Sequence, residues 1–415
     1  MARKSPPKGI RPFDDFYAAL KTAQPASYQE RGAKVRGLEA FEEQKQHLLD
    51  LYAGIEVRHS FQDPSGQIFD CVPIAEQPAL RRESLAEPPE VPGAEKAAAQ
   101  KAPTQTGPLH ETRLDAHGNA MSCPPGFVPL RRITLDELTR FETLSHFRRK
   151  SPRHPDRKRA PQEAPGSPEE ANSGHEYAHA RQAVRNLGAT TMLNVWSPSV
   201  ADASSTFSLS QMWVAATSPT RGVQTVEAGW QVYPTKYGHT RPVLFSYWTA
   251  DAYKNTGSYS TEQHEFVQHS STCPLGFALD HASLSHGAQA EIEVTLLFSL
   301  GNWWLFVGGS TPAHAIGYYP ASLFGPGPLT TAAETVDFGG ETCATELFPP
   351  MGSGAFAARG YKEAAYQRRI SYFDTGRAAR MADLAALQAW PAKYTIEVQR
   401  SPDWGEFFFF GGPGG

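Results

Sequence analysis

From about residue 175 to its end, the chain is written in short runs of β-branched and aromatic residues punctuated by turn signals. The runs fall at 190–196, 207–214, 243–248, 290–298 and 303–307, with Ser218-Pro219, Gly257-Ser258, Gly301-Asn302 and Gly308-Gly309 between or beside them. Val, Thr, Phe, Tyr and Trp suit a pleated, half-buried surface, and Gly and Pro pairs break it into strands. In Glu291-Ile-Glu-Val-Thr295 strict alternation leaves one face wet. Few architectures accommodate so many short strands at this spacing. The expectation is a mainly β domain, an antiparallel, strongly twisted β-sandwich.

The first part of the chain reads differently. Phe13, Phe16, Tyr17 and Leu20 share one helical face, and so do Leu38, Phe41, Leu48 and Leu51 before Gly54. Runs at 57–61 and 67–72 flank Asp63-Pro-Ser-Gly66 and form a hairpin. A Pro-, Ala- and Glu-rich insert over 81–120 reads as a disordered linker. Thr134-Leu-Asp-Glu137 is a capping box, opening a helix that carries Leu135, Leu138, Phe141 and Leu144. Residues 1–147 are therefore expected to form a smaller α+β module. Residues 148–174 mix Arg148, Arg149, Lys150, Arg153 and Arg157 with prolines and read as a solvated linker, open to proteolysis. The β domain then spans 175–415.

Composition narrows the function classes. A net charge of -4 over 415 residues argues against nucleic acid as a partner. No apolar run reaches 18 residues, so no membrane span is expected, and no signal peptide is visible. Cys71, Cys123, Cys273 and Cys343 are too few for a disulfide scaffold and lack metal-ligand spacing; two disulfides or four thiols fit the count equally.

Two carboxylates stand out. Glu227 lies in Gly222-Val-Gln-Thr-Val-Glu-Ala-Gly-Trp-Gln-Val-Tyr233, an otherwise apolar strand, and shares a face with Gly229 and Gln231. Glu341 ends a second strand-like segment after Gly339-Gly340. A buried carboxylate must be paired, solvated or neutral, and two brought together can act as acid and base on one water. Each taken singly reads first as a glutamate on a partly wet strand. Trp230, Tyr247 and Trp248 are core aromatics or, at a cleft, walls for a substrate proline ring; Gln231 either orients a carboxylate or is a surface residue. His175-Glu-Tyr-Ala-His179 matches the zinc-protease pattern, but that pattern needs a helix, and here a Gly and a Pro-rich stretch precede it while strand follows. No metal and no cofactor are expected. A zinc metallopeptidase, a glycoside hydrolase with paired carboxylates and a non-catalytic carbohydrate-binding sandwich are the other classes in play.

The chain also resembles a known family. Leu193-Asn-Val-Trp-Ser-Pro198, Phe207-Ser-Leu-Ser-Gln-Met-Trp213, Val226-Glu-Ala-Gly-Trp-Gln-Val232, Tyr247-Trp-Thr-Ala-Asp-Ala-Tyr253, Gly301-Asn-Trp-Trp304, Phe338-Gly-Gly-Glu341 and Met351-Gly-Ser-Gly354 are similar, in order, to motifs of the neprosin family. Asp70-Cys-Val-Pro73 and Cys123-Pro-Pro-Gly126 resemble its activation peptide. The resemblance implies a glutamic prolyl endopeptidase made as a zymogen; the long low-complexity insert and the lack of a visible signal peptide, which depart from the family, suggest a bacterial-type relative. The resemblance also implies Glu227 and Glu341 as the catalytic pair, a Cys71–Cys123 disulfide, a proline-containing peptide substrate, the pro-domain as intramolecular inhibitor, and secretion. The cysteine pair found in plant members around Gly257-Ser-Tyr-Ser260 is missing, and Cys273 and Cys343 have no counterpart in that family.

Overall fold

A computed structural model describes residues 8–81, 83–93, 113–150, 174–202, 206–388 and 390–415. The first part contains helices α1 (Phe13–Lys21), α2 (Pro25–Gln29), α3 (Gly37–Leu51), α4 (Leu135–Leu138) and α5 (Leu144–Arg148), and a small sheet of β1 (His59–Gln62), β2 (Ile68–Pro73) and β3 (Phe127–Arg131). The hairpin stands as expected, its turn held by the Asp63 carboxylate, which accepts from the backbone of Ser65 and Gln67. Both hydrogen bonds of the capping box at Thr134 and Glu137 form, but α4 makes only one turn. Leu38 is exposed rather than on the packed face of α3. Cys71 and Cys123 form a disulfide, while Cys273 and Cys343 are separate buried thiols.

The insert at 81–120 is not uniformly a linker. Ser84 and Ala86 hydrogen-bond the Tyr318 hydroxyl, Val91 is buried, and Arg113 pairs with Asp280. Residues 94–112, like 151–173 of the expected basic linker, lie outside the described residues.

The remaining strands are β4 (His175–Asn194), β5 (Phe207–Ser218), β6 (Gly222–Val232), β7 (Val243–Thr249), β8 (Ser258–Tyr259), β9 (Val267–Gln268), β10 (Glu291–Ser299), β11 (Asn302–Val307), β12 (Ala315–Pro320), β13 (Ala333–Cys343), β14 (Ala365–Asp374), β15 (Ala379–Met381), β16 (Ala385–Gln388), β17 (Thr395–Ser401) and β18 (Gly405–Gly411). A short helix α6 (Pro234–Tyr237) follows β6. The strands form one antiparallel sheet with the central order β8-β7-β6-β5-β13-β4-β10-β11-β12-β9. The long β4 makes it curl: its first half pairs with β13 and β16, its second with β10 and β14. At the change of partner stands Gly188, where a Cβ would meet the Leu296 carbonyl oxygen at 2.0 Å.

Period-two alternation then sorts the side chains. Met212, Val214, Val226, Ala228, Trp230, Trp248, Val336 and Phe338 point inward to meet Ile292, Val294, Leu296, Trp303 and Leu305 in the sandwich core. The opposite face of β5, β6, β7 and β13 does not face water. Phe207, Leu209, Phe245, Tyr247 and Cys343 form one apolar cluster with Phe13, Phe41, Leu138, Phe141 and Phe147 of the first module. The α+β module is thus packed onto the open face of the sheet.

Candidate active site

Glu227 on β6 and Glu341 on β13 both lie on that open face. Register fixes their relation. Trp213 of β5 stands opposite Glu227 and Asp337; Gln211 stands opposite Gly229 and Gly339; Leu209 stands opposite Gln231 and Glu341. The two glutamates therefore flank the Gln211 row diagonally, with a glycine on either side of that glutamine.

One cation joins them. Lys150 Nζ donates to Glu227 Oε2 at 2.5 Å, to Glu341 Oε2 at 2.6 Å and to Gln211 Oε1 at 3.1 Å. All three charged side chains are buried. Glu227 Oε1 accepts from the hydroxyls of Tyr253 (2.6 Å) and Thr225 (2.8 Å). Glu341 Oε1 accepts from His175 Nδ1 (2.6 Å) and the Tyr177 hydroxyl (3.4 Å), and Oε2 from Gln211 Nε2 (3.1 Å).

The charges hold one another. Burial alone would raise Glu341, but the Lys150 ammonium and the His175 hydrogen bond outweigh it and bring the carboxyl down to about 2. Burial would likewise lower Lys150, but the two carboxylates raise it instead. Burial, then the Glu227 charge, pushes the Tyr253 phenol well above its usual range, so it stays a donor.

Tyr247 lies directly opposite Glu227, on the same face, and its hydroxyl bonds the Lys150 backbone. Gln231 shares the face but donates to the Tyr237 hydroxyl at 2.7 Å rather than to a glutamate. Trp230 and Trp248 do not belong here. Their even positions turn them into the core, where their indole N–H groups donate to the Asn194 carbonyl and the Ser258 hydroxyl. The metal-like motif is a strand, as its context suggested. His175, Tyr177 and His179 face the glutamates, while Glu176 points the other way, to Lys393. Among the described residues, no group of three or more His, Cys, Asp and Glu side chains could hold a metal ion.

Sequence reasoning missed Lys150, Gln211, Tyr253 and Thr225, and set His175 aside with its motif. Gln211 was findable, since alternation along Phe207-Ser-Leu-Ser-Gln-Met-Trp213 puts a lone amide on an apolar face. Lys150 carried no signal within its basic run.

A family model described as Neprosin matches residues 204–413, and one described as Neprosin activation peptide matches residues 60–181. Among solved structures, scytalido-glutamic peptidase with a transition state analog inhibitor aligns with a TM-score of 0.32 and 10% identity, over 57% of this chain and 98% of that one. SCP-B, a member of the Eqolisin family of peptidases in a complex with the tripeptide Ala-Ile-His, aligns with a TM-score of 0.29 and 11% identity, over 58% and 98%. At these values the structural likenesses carry no argument. No helix among the described residues is long and apolar enough to cross a membrane.

Proposed function

The chain belongs to the neprosin family, and on that premise we propose that it is a glutamic endopeptidase, made as a zymogen, that cleaves peptide bonds after proline using Glu227 and Glu341. The observation that carries this reading is the single Lys150 nitrogen held by both carboxylates. An ammonium is close to a water molecule in size, so its nitrogen stands where a shared water would sit. With Lys150 withdrawn, two close carboxylates cannot both ionise easily, and one keeps a proton. The ionised one takes the water's proton as the oxygen attacks the scissile carbonyl. The protonated one polarises that carbonyl and then protonates the leaving nitrogen. The pair titrates as a unit and works best at acid pH.

The same contact supports reading the first module, through Lys150, as the inhibitor, with maturation in the part of the 148–174 stretch that follows Lys150. Helix α5 and its last residues are part of the plug: Lys236 Nζ donates to the Phe147 carbonyl at 2.9 Å and to Glu262 at 2.8 Å. Preference for proline is supported by the family and by the tyrosine rings beside Glu227, Tyr247 packing on Tyr253 and edge-on to Tyr259.

The test is hydrolysis of a quenched proline-containing peptide at acid pH by the matured protein, with and without chelator. Glu227→Gln and Glu341→Gln should each lose roughly a hundredfold or more, and chelator should change nothing. A peptide with alanine in place of proline tests the specificity. Full activity in either glutamine variant sinks the reading.

A further inference from the structure

His175 takes no part in the reaction sketched above, yet it holds one of its carboxylates. Its Nδ1 lies 2.6 Å from Glu341 Oε1, and its ring is fixed between Tyr177 (6.1 Å, stacked) and Phe207 (5.8 Å, edge-on). Its other nitrogen meets Cys343. That residue stands directly opposite His175 in the β4–β13 register, and its Sγ is 3.7 Å from Nε2. Burial, reinforced by the Glu341 charge, keeps the Cys343 thiol protonated. Nδ1 faces a Glu341 carboxylate oxygen that can only accept, so a neutral ring carries its proton on Nδ1 and leaves Nε2 bare, where the S–H can donate. A cationic ring carries one there as well. In both states Nδ1 donates to Glu341.

The partners of Glu227 behave otherwise. Tyr253 and Thr225 offer hydroxyls, which donate to a carboxylate or turn and accept from a carboxylic acid equally well. An Nδ1–H cannot turn. Once Lys150 leaves, the titratable and polar groups around Glu341 are His175 and Tyr177 from β4, Gln211 from β5, Glu227 from β6 and Cys343 on its own strand, with the phenols of Tyr253 and, on β8, Tyr259 further off. His179 is engaged by Asp337 at 2.8 Å. Of the groups facing Glu341, only His175 can bring a positive charge.

We propose that His175 is a positioning residue: its Nδ1–H keeps Glu341 as the carboxylate that takes the water's proton, and so leaves Glu227 to hold the proton the pair retains. Cys343 complements it, its S–H standing within reach of the Nε2 that this tautomer leaves bare. The arrangement follows the general pattern in which a neighbour's hydrogen bond decides which imidazole nitrogen is protonated. It rests on the reading of the glutamate pair given above.

The experiment is the pH profile of kcat and kcat/KM for the matured protein. In His175→Leu the acid limb, where Glu341 takes up a proton, should move to higher pH by about one to two units, and kcat should fall about ten- to a hundredfold, with KM little changed. His175→Asn, whose amide N–H can stand near the lost Nδ1–H, should move the limb less. Limbs in both variants that coincide with the parent's overturn the proposal. If His175→Leu does not fold, ¹⁵N spectra of the histidine-labelled parent decide. A proton on Nδ1 across the active range supports the proposal, and a neutral ring protonated on Nε2 overturns it. Undiminished activity in Glu341→Gln would instead sink the glutamate pair itself, so the two failures are distinguishable.

Discussion

Glu227 and Glu341 are not on neighbouring strands; β5 runs between them, and they reach one ammonium across its Gln211 row because Gly229 and Gly339 leave that row bare. A Cβ on Gly229 would lie 2.1 Å from the Ser210 carbonyl oxygen and 2.7 Å from the Gln211 Cα, and one on Gly339 would lie 2.5 Å from the His179 Cα. These are backbone atoms, which cannot swing aside as a side-chain tip can. Gly229→Ala should therefore part β5 from β6, costing about 1–3 kcal/mol of stability and most of the peptidase activity. Thermal melting and kcat/KM, measured on the same preparation, check it. A variant with the parent's melting point and rate would mean that the glycine row is not what sets the spacing.

Lys150 predicts a leaky zymogen. Replacing it by methionine keeps the stem and removes the charge, so the two carboxylates must share a proton. The uncut Lys150→Met chain should hydrolyse peptide at acid pH where the parent does not, with electrophoresis showing that the chain is intact. The sign of its pH dependence follows from Glu341. A carboxyl held at about 2 against an ordinary 4.5 gives the ion pair full strength above 4.5, lost only as pH falls toward 2. The Lys150 contact by itself thus stays closed at mildly acid pH, and release has to begin elsewhere.

His47 is a place where it can begin. In the docked module its Nε2 bonds the Glu262 carbonyl at 3.1 Å and its Nδ1 accepts from Arg148 at 2.9 Å. Burial, then the Arg148 charge, lowers this imidazole to about 3 from an ordinary 6.5. A protonated ring would turn a second donor against Arg148. Docking is therefore at full strength above pH 6.5 and weakens progressively between 6.5 and 3, by an amount on the order of a few kcal/mol. After cleavage in the linker, gel filtration should show the N-terminal fragment retained at pH 7 and shed near pH 4. His47→Gln, which cannot charge, should retain it further into acid. Identical release curves would remove His47 from the account.

The architecture was legible because alternation is a local signal. Strands, the hairpin and the capping box follow from neighbours in sequence, and Glu227 and Glu341 stood out as charges in apolar runs. Face parity was equally available for the tryptophans. Trp230 is three positions from Glu227, hence on the other side of the strand, and Trp248 pairs with core-facing Val226. Proximity in sequence misled where parity would have decided. Lys150 was illegible for another reason. Among seven basic residues in a Pro-rich stretch, nothing local distinguishes the one that a distant fold desolvates between two carboxylates. His175 was discounted with a false motif, although a strand reading of that motif already put it on the face shared by Tyr177 and His179.

The Cys71–Cys123 bond should matter to latency rather than to the β domain. It joins β2 to the segment before β3 and closes a loop with a sequence separation of 52, for which chain-entropy arguments give about 4 kcal/mol. Beside it, the Cys123 backbone N–H donates to the Ser271 carbonyl of the β domain, and Asp70 on β2 is held by Arg132. Reduction, or Cys71→Ala, should therefore loosen the three-stranded sheet and the docking surface together. The β domain has no part in this bridge, and its own cysteines, Cys273 and Cys343, are thiols. Melting should split into an early transition for the first module and an unchanged late one for the β domain. The uncut chain should become active at acid pH in step with the early transition. A single transition, shifted as a whole, would show instead that the module and the sheet unfold as one unit and that the disulfide stabilises both.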